Sequence, residues 1–468
     1  MKVARTDDRL LNAAMVGIAM GSILSPLNST MLAVALPSVM DDFSVDAATV
    51  ASLVTLYLAS VAITLPASGS IGDRFGHRRS FLIGVAGFGG ASLLAATAGS
   101  FPLLAASRVL QAVSGALVST SSTALIRAEA PPQSRGAAFG LFDGLTSVSA
   151  AIGPLVGGLI VAGFGWRALF LLAVPISIAA ALAVGRLAPP RASARDDHDR
   201  DPSERISPRP VDVPGLALLA ATLLAAVIGI RAPLDGGIGS LAILAVIPLG
   251  AMFLAVELRT DHPAVDPRLV ATRPFAAALV GVFGMTVVLH GCFLVVPLMV
   301  ERLQEGTPAT AGLVLLGISA LWAVAAPFGG RMSDSLGRRR PAVIGAAVTA
   351  LGLGALAALG AEAPTIALGL LLSLVGLGMG LAGSPRQTAA MEAVGSDRVG
   401  MAAGTYYTGR YLGGVVGASV AGGVLGAAVT PPGVSIVFAI LTVAAVVVLV
   451  ASIGLPDRPP VRASTAGS

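Results

Sequence analysis

Charged and titratable side chains inside long hydrophobic segments are the residues of this 468-residue sequence that could do chemistry. They are Arg108, Asp143, His290 and Arg410. A charge within a lipid bilayer is costly, and it usually faces a cavity or a charged partner. A desolvated carboxyl group favours its neutral form, and an imidazole titrates near neutral pH. These four side chains could therefore carry protons or hold a polar solute inside a membrane.

Each of these residues also has a structural interpretation. Arg108 lies about 10 Å below the predicted membrane surface, so its long side chain could instead extend to the interface. Asp143 lies at a similar depth from the other surface and could pair with a basic group there. A lone histidine such as His290 is often a structural core residue. The sequence leaves these alternatives open.

Polar and aromatic neighbours accompany both arginines. Gln111 follows Arg108 by almost one helical turn, and Tyr406 and Tyr407 precede Arg410 by about one turn. Residues three or four positions apart share one face of a helix. We therefore expect these side chains to line the same cavity as the arginines.

The elements that must position these residues are transmembrane helices. The chain is 55% hydrophobic and 12% charged, whereas about 25% charged residues is usual for soluble domains. Apolar runs of 18 or more residues can span a bilayer as helices, and these runs lack the alternation of barrel strands. We predict an all-α polytopic membrane protein with 14 transmembrane helices, near residues 11–36, 47–72, 79–98, 101–126, 136–162, 166–187, 213–231, 237–257, 274–300, 309–330, 341–360, 363–386, 400–428 and 433–455.

The distribution of positive charge predicts the orientation. With a cytoplasmic N-terminus, most of the 30 lysines and arginines fall in cytoplasmic segments, and only Arg108 and Arg410 fall within spans. We therefore place both termini in the cytoplasm of a bacterial inner membrane. This asymmetry accounts for the net charge of +5 without a nucleic-acid partner.

The residue inventory argues against an enzyme. The single cysteine, Cys292, excludes a cysteine-based metal site within one chain, and the single lysine, Lys2, excludes a phosphate-binding GxxxxGK[ST] loop. We expect no cofactor and no metal. An ion gradient is then the simplest energy source. A membrane-embedded enzyme or a sensor without transport activity is the alternative class.

A repeat divides the chain. The pattern GxxxDxxGxRR occurs twice, and its key residues are Gly69, Asp73, Gly76, Arg78, Gly330, Asp334, Gly337 and Arg339. The spacing predicts two equivalent six-helix bundles, at 1–187 and 273–468. Residues 188–272 would hold a cytoplasmic linker and two inserted helices.

Taken together, these motifs resemble the major facilitator superfamily, and the six-plus-two-plus-six layout is similar to its fourteen-span drug:proton antiporter family. Span 5 carries Gly153, Pro154, Gly157 and Gly158, which resemble the antiporter motif of exporters. Arg108 and Gln111 resemble the Arg-x-x-Gln-Gly motif, with Ala112 in place of the glycine. Asn28 stands where the family usually has Asp.

The resemblance implies roles for these residues. The two GxxxDxxGxRR loops would latch the bundles in the outward-facing state, although they could also be plain structural turns. The span-5 glycines would form a seal and pivot between the bundles, or generic close contacts. Asn28 would join the substrate and proton-coupling residues.

The sequence therefore predicts a proton-coupled secondary transporter that exports small amphipathic molecules by alternating access. The alternative is a dedicated exporter or importer of a single metabolite on the same fold. We expect its partners to be a small-molecule substrate, protons and the lipid bilayer, and we expect a monomer.

Overall fold

The computed structural model describes the backbone of residues 2–129, 135–187, 212–231, 238–260, 263, 265–394, 399–426 and 428–457. Within the helices, side chains are described except at 2–14, 70, 127–129, 135–141, 143, 186–187, 227, 230–231, 238 and 399–400.

Within these ranges the chain forms fifteen α-helices, two short 3-10 turns at Pro267–Ala271 and Gly360–Glu362, and no strand. In chain order the helices are α1 (Lys2–Ala33), α2 (Leu36–Phe43), α3 (Ala47–Phe75), α4 (His77–Ala96), α5 (Phe101–Glu129), α6 (Arg135–Phe164), α7 (Arg167–Leu187), α8 (Val213–Arg231), α9 (Ile238–Arg259), α10 (Arg273–Arg302), α11 (Pro308–Leu336), α12 (Arg339–Leu359), α13 (Thr365–Glu392), α14 (Val399–Leu425) and α15 (Pro431–Ser452).

Twelve of the described helices are long and apolar enough to cross a membrane. The described apolar stretch of α8, Val213–Ala226, is shorter than a full crossing. Helix α14 is not among the twelve, and it carries the charged Arg410 and several glycines. The all-helical membrane fold is confirmed, and the count of fourteen crossings stays a prediction.

The long helices form two groups. In the first group, residues 2–187, helix α1 packs on α5, α6 and α7, and α4 packs on α5 and α7. In the second group, residues 273–457, α13 packs on α11 and α12, and α15 packs on α10 and α12. The groups meet mainly along two helix pairs, α3 with α14 and α6 with α11.

The two ends of this bundle are different. Arg302 pairs with Asp41 at 2.5 Å and donates to the carbonyl oxygen of Pro37 at 3.0 Å. We call this the paired end. Helices α3 and α11 both begin beside it and run for 29 residues each, so they finish together at the other end. That end carries Asp73 and Asp334, and we call it the motif end.

Helices α8 and α9 pack on each other, and α8 also contacts α3 and α14. Only 6% of the apolar window of α9 is buried. Most of its described leucine and isoleucine side chains are exposed, with 68% exposure at Leu241 and 78% at Ile247. Such a surface would be unstable in water, and it fits a helix surrounded by lipid.

Candidate functional site

Arg108 is the centre of a buried polar cluster in the first group. Its side chain is 1% exposed, and Nη1 donates to Asn28 Oδ1 at 2.5 Å and to Gln111 Oε1 at 2.6 Å. Gln111 Nε2 donates in turn to Ser92 Oγ at 2.7 Å. Helices α1 and α4 both pack on α5, which brings these residues together. The guanidinium group is thus turned into the bundle, not extended to the membrane surface.

Tyr57 on α3 completes this cluster, and sequence reasoning missed it. The guanidinium carbon of Arg108 lies 4.2 Å from the centre of the Tyr57 ring, a cation–π contact. The Tyr57 hydroxyl lies 2.5 Å from Ser25 Oγ. The only signal in the sequence was that Tyr57 is the single aromatic residue of the predicted span 47–72.

Helix α14 carries a second polar cluster. Tyr406 is buried, Tyr407 is half-buried and Arg410 is exposed. The rings of Tyr406 and Tyr407 meet edge to face with centres 6.0 Å apart. Gln387 Nε2 on α13 donates to the Tyr407 hydroxyl at 3.1 Å.

His290 lies where α10, α14 and α3 meet. Its Nδ1 is 3.0 Å from the carbonyl oxygen of Thr286, and Thr286 Oγ1 donates to the carbonyl oxygen of Arg410 at 2.7 Å. A Cβ atom on Gly414 would lie 2.9 Å from both His290 Nδ1 and Leu58 Cδ1. Arg410 is one turn before Gly414, so its side chain projects from the same face of α14 toward the contact between the groups.

Arg386 corrects the sequence analysis, which placed it at the end of the span 363–386 and did not count it among the arginines within spans. Helix α13 continues to Glu392, and Arg386 is 2% exposed within it. Its Nη1 donates to the carbonyl oxygen of Gly281 at 3.2 Å, and it interacts electrostatically with Tyr406. The hydropathy pattern ended the span too early, because a charged residue there looked like a boundary.

Asp143 lies in α6, and its side chain is outside the described residues. Its role as a proton carrier stays a prediction.

The two GxxxDxxGxRR loops have the same local structure. Asp73 pairs with His77, and Asp334 pairs with Arg338, each at 3.1 Å and four residues apart. Arg338 also pairs with Glu392 at 2.7 Å, and the hydrogen bond to Glu392 raises the pKa of Arg338.

Glycine is required at the turn of each loop. Gly76 has φ +90° and Gly337 has φ +86°, which is backbone that favours glycine. The first glycine of each loop has room for a side chain. A Cβ atom on Gly69 would have no atom within 4 Å, and one on Gly330 would lie 3.4 Å from Ser384 Oγ.

The arginines after these turns bind within their own groups. Arg78 Nη2 donates to the carbonyl oxygen of Gly185 at 2.8 Å. Arg339 lies 3.8 Å from the Asp457 carboxylate, and its backbone N–H donates to Pro456 at 3.0 Å. Among the described residues, no ion pair joins the two groups at the motif end.

The span-5 glycines allow close helix contacts on two sides of α6. A Cβ atom on Gly157 would lie 2.9 Å from Met31 Cα of α1, and one on Gly153 would overlap Thr30. A Cβ atom on Gly158 would overlap the carbonyl oxygen of Pro308, and one on Gly312 would overlap that of Pro154. The contact between α6 and α11 near the paired end therefore needs small residues on both helices.

Long apolar helices in two groups, each with a buried arginine inside it, define a multi-pass membrane transport protein. The profile of the Major Facilitator Superfamily matches residues 18–418 and 293–468. The chain belongs to this family. The resemblance to the superfamily is thus confirmed.

Several exporters are similar to this chain over most of its length. It is 31% identical to the tetracenomycin C resistance and export protein of Streptomyces glaucescens, over 87% of this chain and 74% of that one. It is 27% identical to the multidrug resistance protein B homolog of Mycobacterium tuberculosis (strain ATCC 25618 / H37Rv), over 89% of this chain and 76% of that one.

Solved structures share the fold. A D-xylose-proton symporter matches with a TM-score of 0.65 at 14% identity, covering 95% of this chain and 98% of that one. A POT family transporter in complex with 5-aminolevulinic acid matches with a TM-score of 0.68 at 14% identity, over 94% and 95%. At this identity the likeness concerns the fold alone.

Proposed function

We propose that this protein exports small amphipathic molecules from the cell by alternating access, coupled to proton entry. The observation that carries the proposal is the placement of the Arg108 and Arg410 clusters at the contact between the two helix groups. Inward-facing charges in a membrane protein mark a pathway for a polar solute. The export and resistance functions named for the relatives support the same direction of transport.

The contacts at the two ends support an inward-facing conformation. The paired end is closed by the Arg302–Asp41 ion pair and by the close approach of α6 and α11. At the motif end, the described loop residues bind only within their own group. We infer that the motif end faces the cytoplasm of a bacterial inner membrane, with both termini on that side. The loops at Asp73 and Asp334 would latch the groups together when the paired end opens.

We also place the chain in the fourteen-span drug:proton antiporter family. Helices α8 and α14 would complete the fourteen crossings, since both run alongside α3 in the bundle. The halves would be 1–187 and 273–468, with 188–272 as the linker and inserted pair. Two such halves complete one pathway, so we propose a monomer.

Protons would supply the energy. One pH unit is worth about 1.4 kcal/mol per proton, and 100 mV adds about 2.3 kcal/mol per charge. Asp143 is our first candidate carrier and His290 the second. Asn28 cannot titrate, so it serves as a neutral acceptor for Arg108.

Transport in everted membrane vesicles tests this proposal. Vesicles from an expressing strain should accumulate dyes and antibiotics when a proton gradient is present. A protonophore should abolish the accumulation, and vesicles without the protein provide the control. Uptake that persists unchanged after collapse of the gradient would contradict proton coupling.

The second candidate function is transport of a single compound, either as a dedicated exporter or as an importer of one metabolite. The relative from Streptomyces glaucescens is named for a single compound, tetracenomycin C, which favours the dedicated exporter. A resistance panel on an expressing strain distinguishes the two export functions. Protection against many unrelated compounds indicates multidrug export, and protection against one compound indicates a dedicated exporter.

A further inference from the structure

Positive charge is concentrated around one set of aromatic side chains: Arg108 contacts Tyr57, and Arg386 and Arg410 both interact electrostatically with Tyr406. Arg108 on α5, Arg386 on α13 and Arg410 on α14 all lie within long helices. Arg108 is held by the neutral side chains of Asn28 and Gln111, and Arg386 by a backbone carbonyl. Among the residues whose side chains the structure describes, no carboxylate forms an ion pair with any of the three.

The tyrosines lie on α3 and α14, two helices through which the groups meet. All four tyrosines of the sequence, Tyr57, Tyr406, Tyr407 and Tyr411, lie on α3 and α14. Tyr411 packs against the buried cluster around Tyr57 and interacts electrostatically with both Tyr57 and Arg410. Tyrosine thus connects the Arg108 cluster of one group to the Arg410 cluster of the other.

The burial of the three arginines assigns them different tasks. Arg108 and Arg386 are almost fully buried, at 1% and 2% exposure, so they set the local electrostatic potential without being open to a ligand. Arg410 is exposed on the face of α14 that looks toward α3 and His290. Its guanidinium group is therefore the one that a solute would reach.

A guanidinium group matches a carboxylate or sulfonate with two parallel hydrogen bonds. Tyrosine rings add flat contact area for an aromatic solute, together with hydroxyl groups. A cationic solute would instead meet three like charges in a region of low dielectric constant, which is unfavourable. An anion would offset charge that the described protein groups leave uncompensated.

We propose that the substrates are aromatic organic anions and that Arg410 binds the anionic group. This rests on the proposed export function, since it names the substrate class of the same site. The site, which is rich in tyrosine and arginine, discriminates against lipophilic cations of the same size as these anions.

Three probes that share one fluorophore test the charge preference: dansylglycine, which carries a carboxylate, dansylamide, which is neutral, and dansylcadaverine, which is cationic. Binding is measured by dansyl fluorescence on the purified full-length protein in nanodiscs. We expect dansylglycine to bind at least tenfold more tightly than dansylcadaverine, with dansylamide between them.

Variants locate the preference. Arg410→Gln should weaken dansylglycine binding at least tenfold and change dansylamide binding by less than threefold, whereas Arg410→Lys should restore part of the loss. Arg259→Gln removes the same charge from the exposed end of α9 and should leave all three affinities unchanged. Circular dichroism and the elution volume of each variant check that it is folded.

The inference is overturned if dansylcadaverine binds as tightly as dansylglycine, if none of the probes binds, or if Arg410→Gln weakens all three equally. Export is measured separately, as gradient-driven uptake of dansylglycine into everted vesicles. Charge-selective binding without gradient-driven uptake would contradict the proposed function and leave the substrate class supported. Gradient-driven uptake of dansylcadaverine but not dansylglycine would contradict the proposed substrate class and leave the export function supported.

Discussion

At the scale of single residues, Arg108 shows how a buried charge is held without a counter-ion among the described side chains. Two neutral oxygens, from Asn28 and Gln111, accept hydrogen bonds from one nitrogen, Nη1, and the Tyr57 ring covers the guanidinium group. Hydrogen bonds to charged groups contribute about 1.5–3 kcal/mol each. Asn28 stabilises the charge by accepting a hydrogen bond and cannot exchange a proton with it, because a neutral amide does not titrate.

Removal of the charge at this position should impair export. We expect Arg108→Gln to lower the rate of proton-driven efflux at least tenfold, because Asn28 and Tyr57 lose their shared partner. Efflux in everted vesicles, normalised to the amount of protein in the membrane, measures the effect. Arg108→Lys keeps the charge but lacks the planar fork, so it should lie between wild type and Arg108→Gln. Wild-type efflux by Arg108→Gln would show that the cluster is only structural.

A carboxylate at position 28 should change the pH dependence. Asn28→Asp places a titratable acceptor beside Arg108, where the opposite charge favours the ionised form. We expect efflux by this variant to depend on pH more steeply than efflux by wild type below about pH 5, because the neighbouring arginine makes the carboxyl group harder to protonate. Initial rates over that range measure it. The same pH profile for both proteins would contradict a coupling between position 28 and proton transfer.

At the scale of elements, the glycines of α6 determine how closely α6 approaches its neighbours. Gly157 faces α1 and Gly158 faces α11, so one helix has two tight contacts on different sides. The contact at Gly158 is with backbone atoms of Pro308 and Ala309, which cannot rotate away as a side chain could. A larger residue must therefore move a whole helix.

Alanine substitutions of glycines on α6 should affect efflux and stability only where the added methyl group meets a neighbouring helix. We expect Gly158→Ala to lower efflux severalfold and to destabilise the paired end by about 1–3 kcal/mol, as overpacking usually does. Gly163→Ala is the matched control, since a Cβ atom there has no neighbouring atom within 4 Å. Efflux and thermal unfolding of both variants measure the difference. Equal behaviour of the two variants would rule out a tight seal at Gly158.

At the scale of the whole molecule, the two ends of the bundle differ in how they join the groups. At the paired end, Arg302 of the second group reaches Asp41 of the first. At the motif end, Asp334, Arg338 and Glu392 form a network inside the second group. An ion pair across the groups favours one conformation only, so its loss should shift the equilibrium between them.

Loss of the Arg302–Asp41 pair should open the paired end more often. The probe is a cysteine at Ala51, which is 2% exposed and faces Gly422 across the groups, in a Cys292→Ser background. An exposed ion pair contributes about 0.2–1 kcal/mol, so Arg302→Gln should raise the rate of maleimide labelling up to about fivefold. Asp41→Asn should have the same effect.

Arg167→Gln is the control for this experiment. It breaks an ion pair of similar exposure with Asp42 at 2.7 Å, and both partners belong to the first group. Labelling of the cysteine should therefore stay at the starting rate. An equal rise with Arg167→Gln would mean that loss of any charge at this end loosens the bundle.

The sequence by itself determined the membrane class, the helical fold and the repeated loops. Hydropathy depends only on residues that are close in the sequence. Because a chain in lipid must satisfy its backbone hydrogen bonds internally, long apolar runs predict helices directly. The glycines at positions 76 and 337 likewise follow from local backbone geometry. Arg108 and Gln111 were found as one cluster because their spacing is itself helical.

Only the tertiary structure decided which distant side chains meet. Asn28 and Arg108 are 80 residues apart, Tyr57 gave almost no signal, and Arg386 was taken for a residue at a span end. In lipid, an apolar side chain gains little by facing inward, so periodicity does not mark the interior face of a transmembrane helix. The rotation of each helix, and therefore the composition of the site, is set by close contacts between helices.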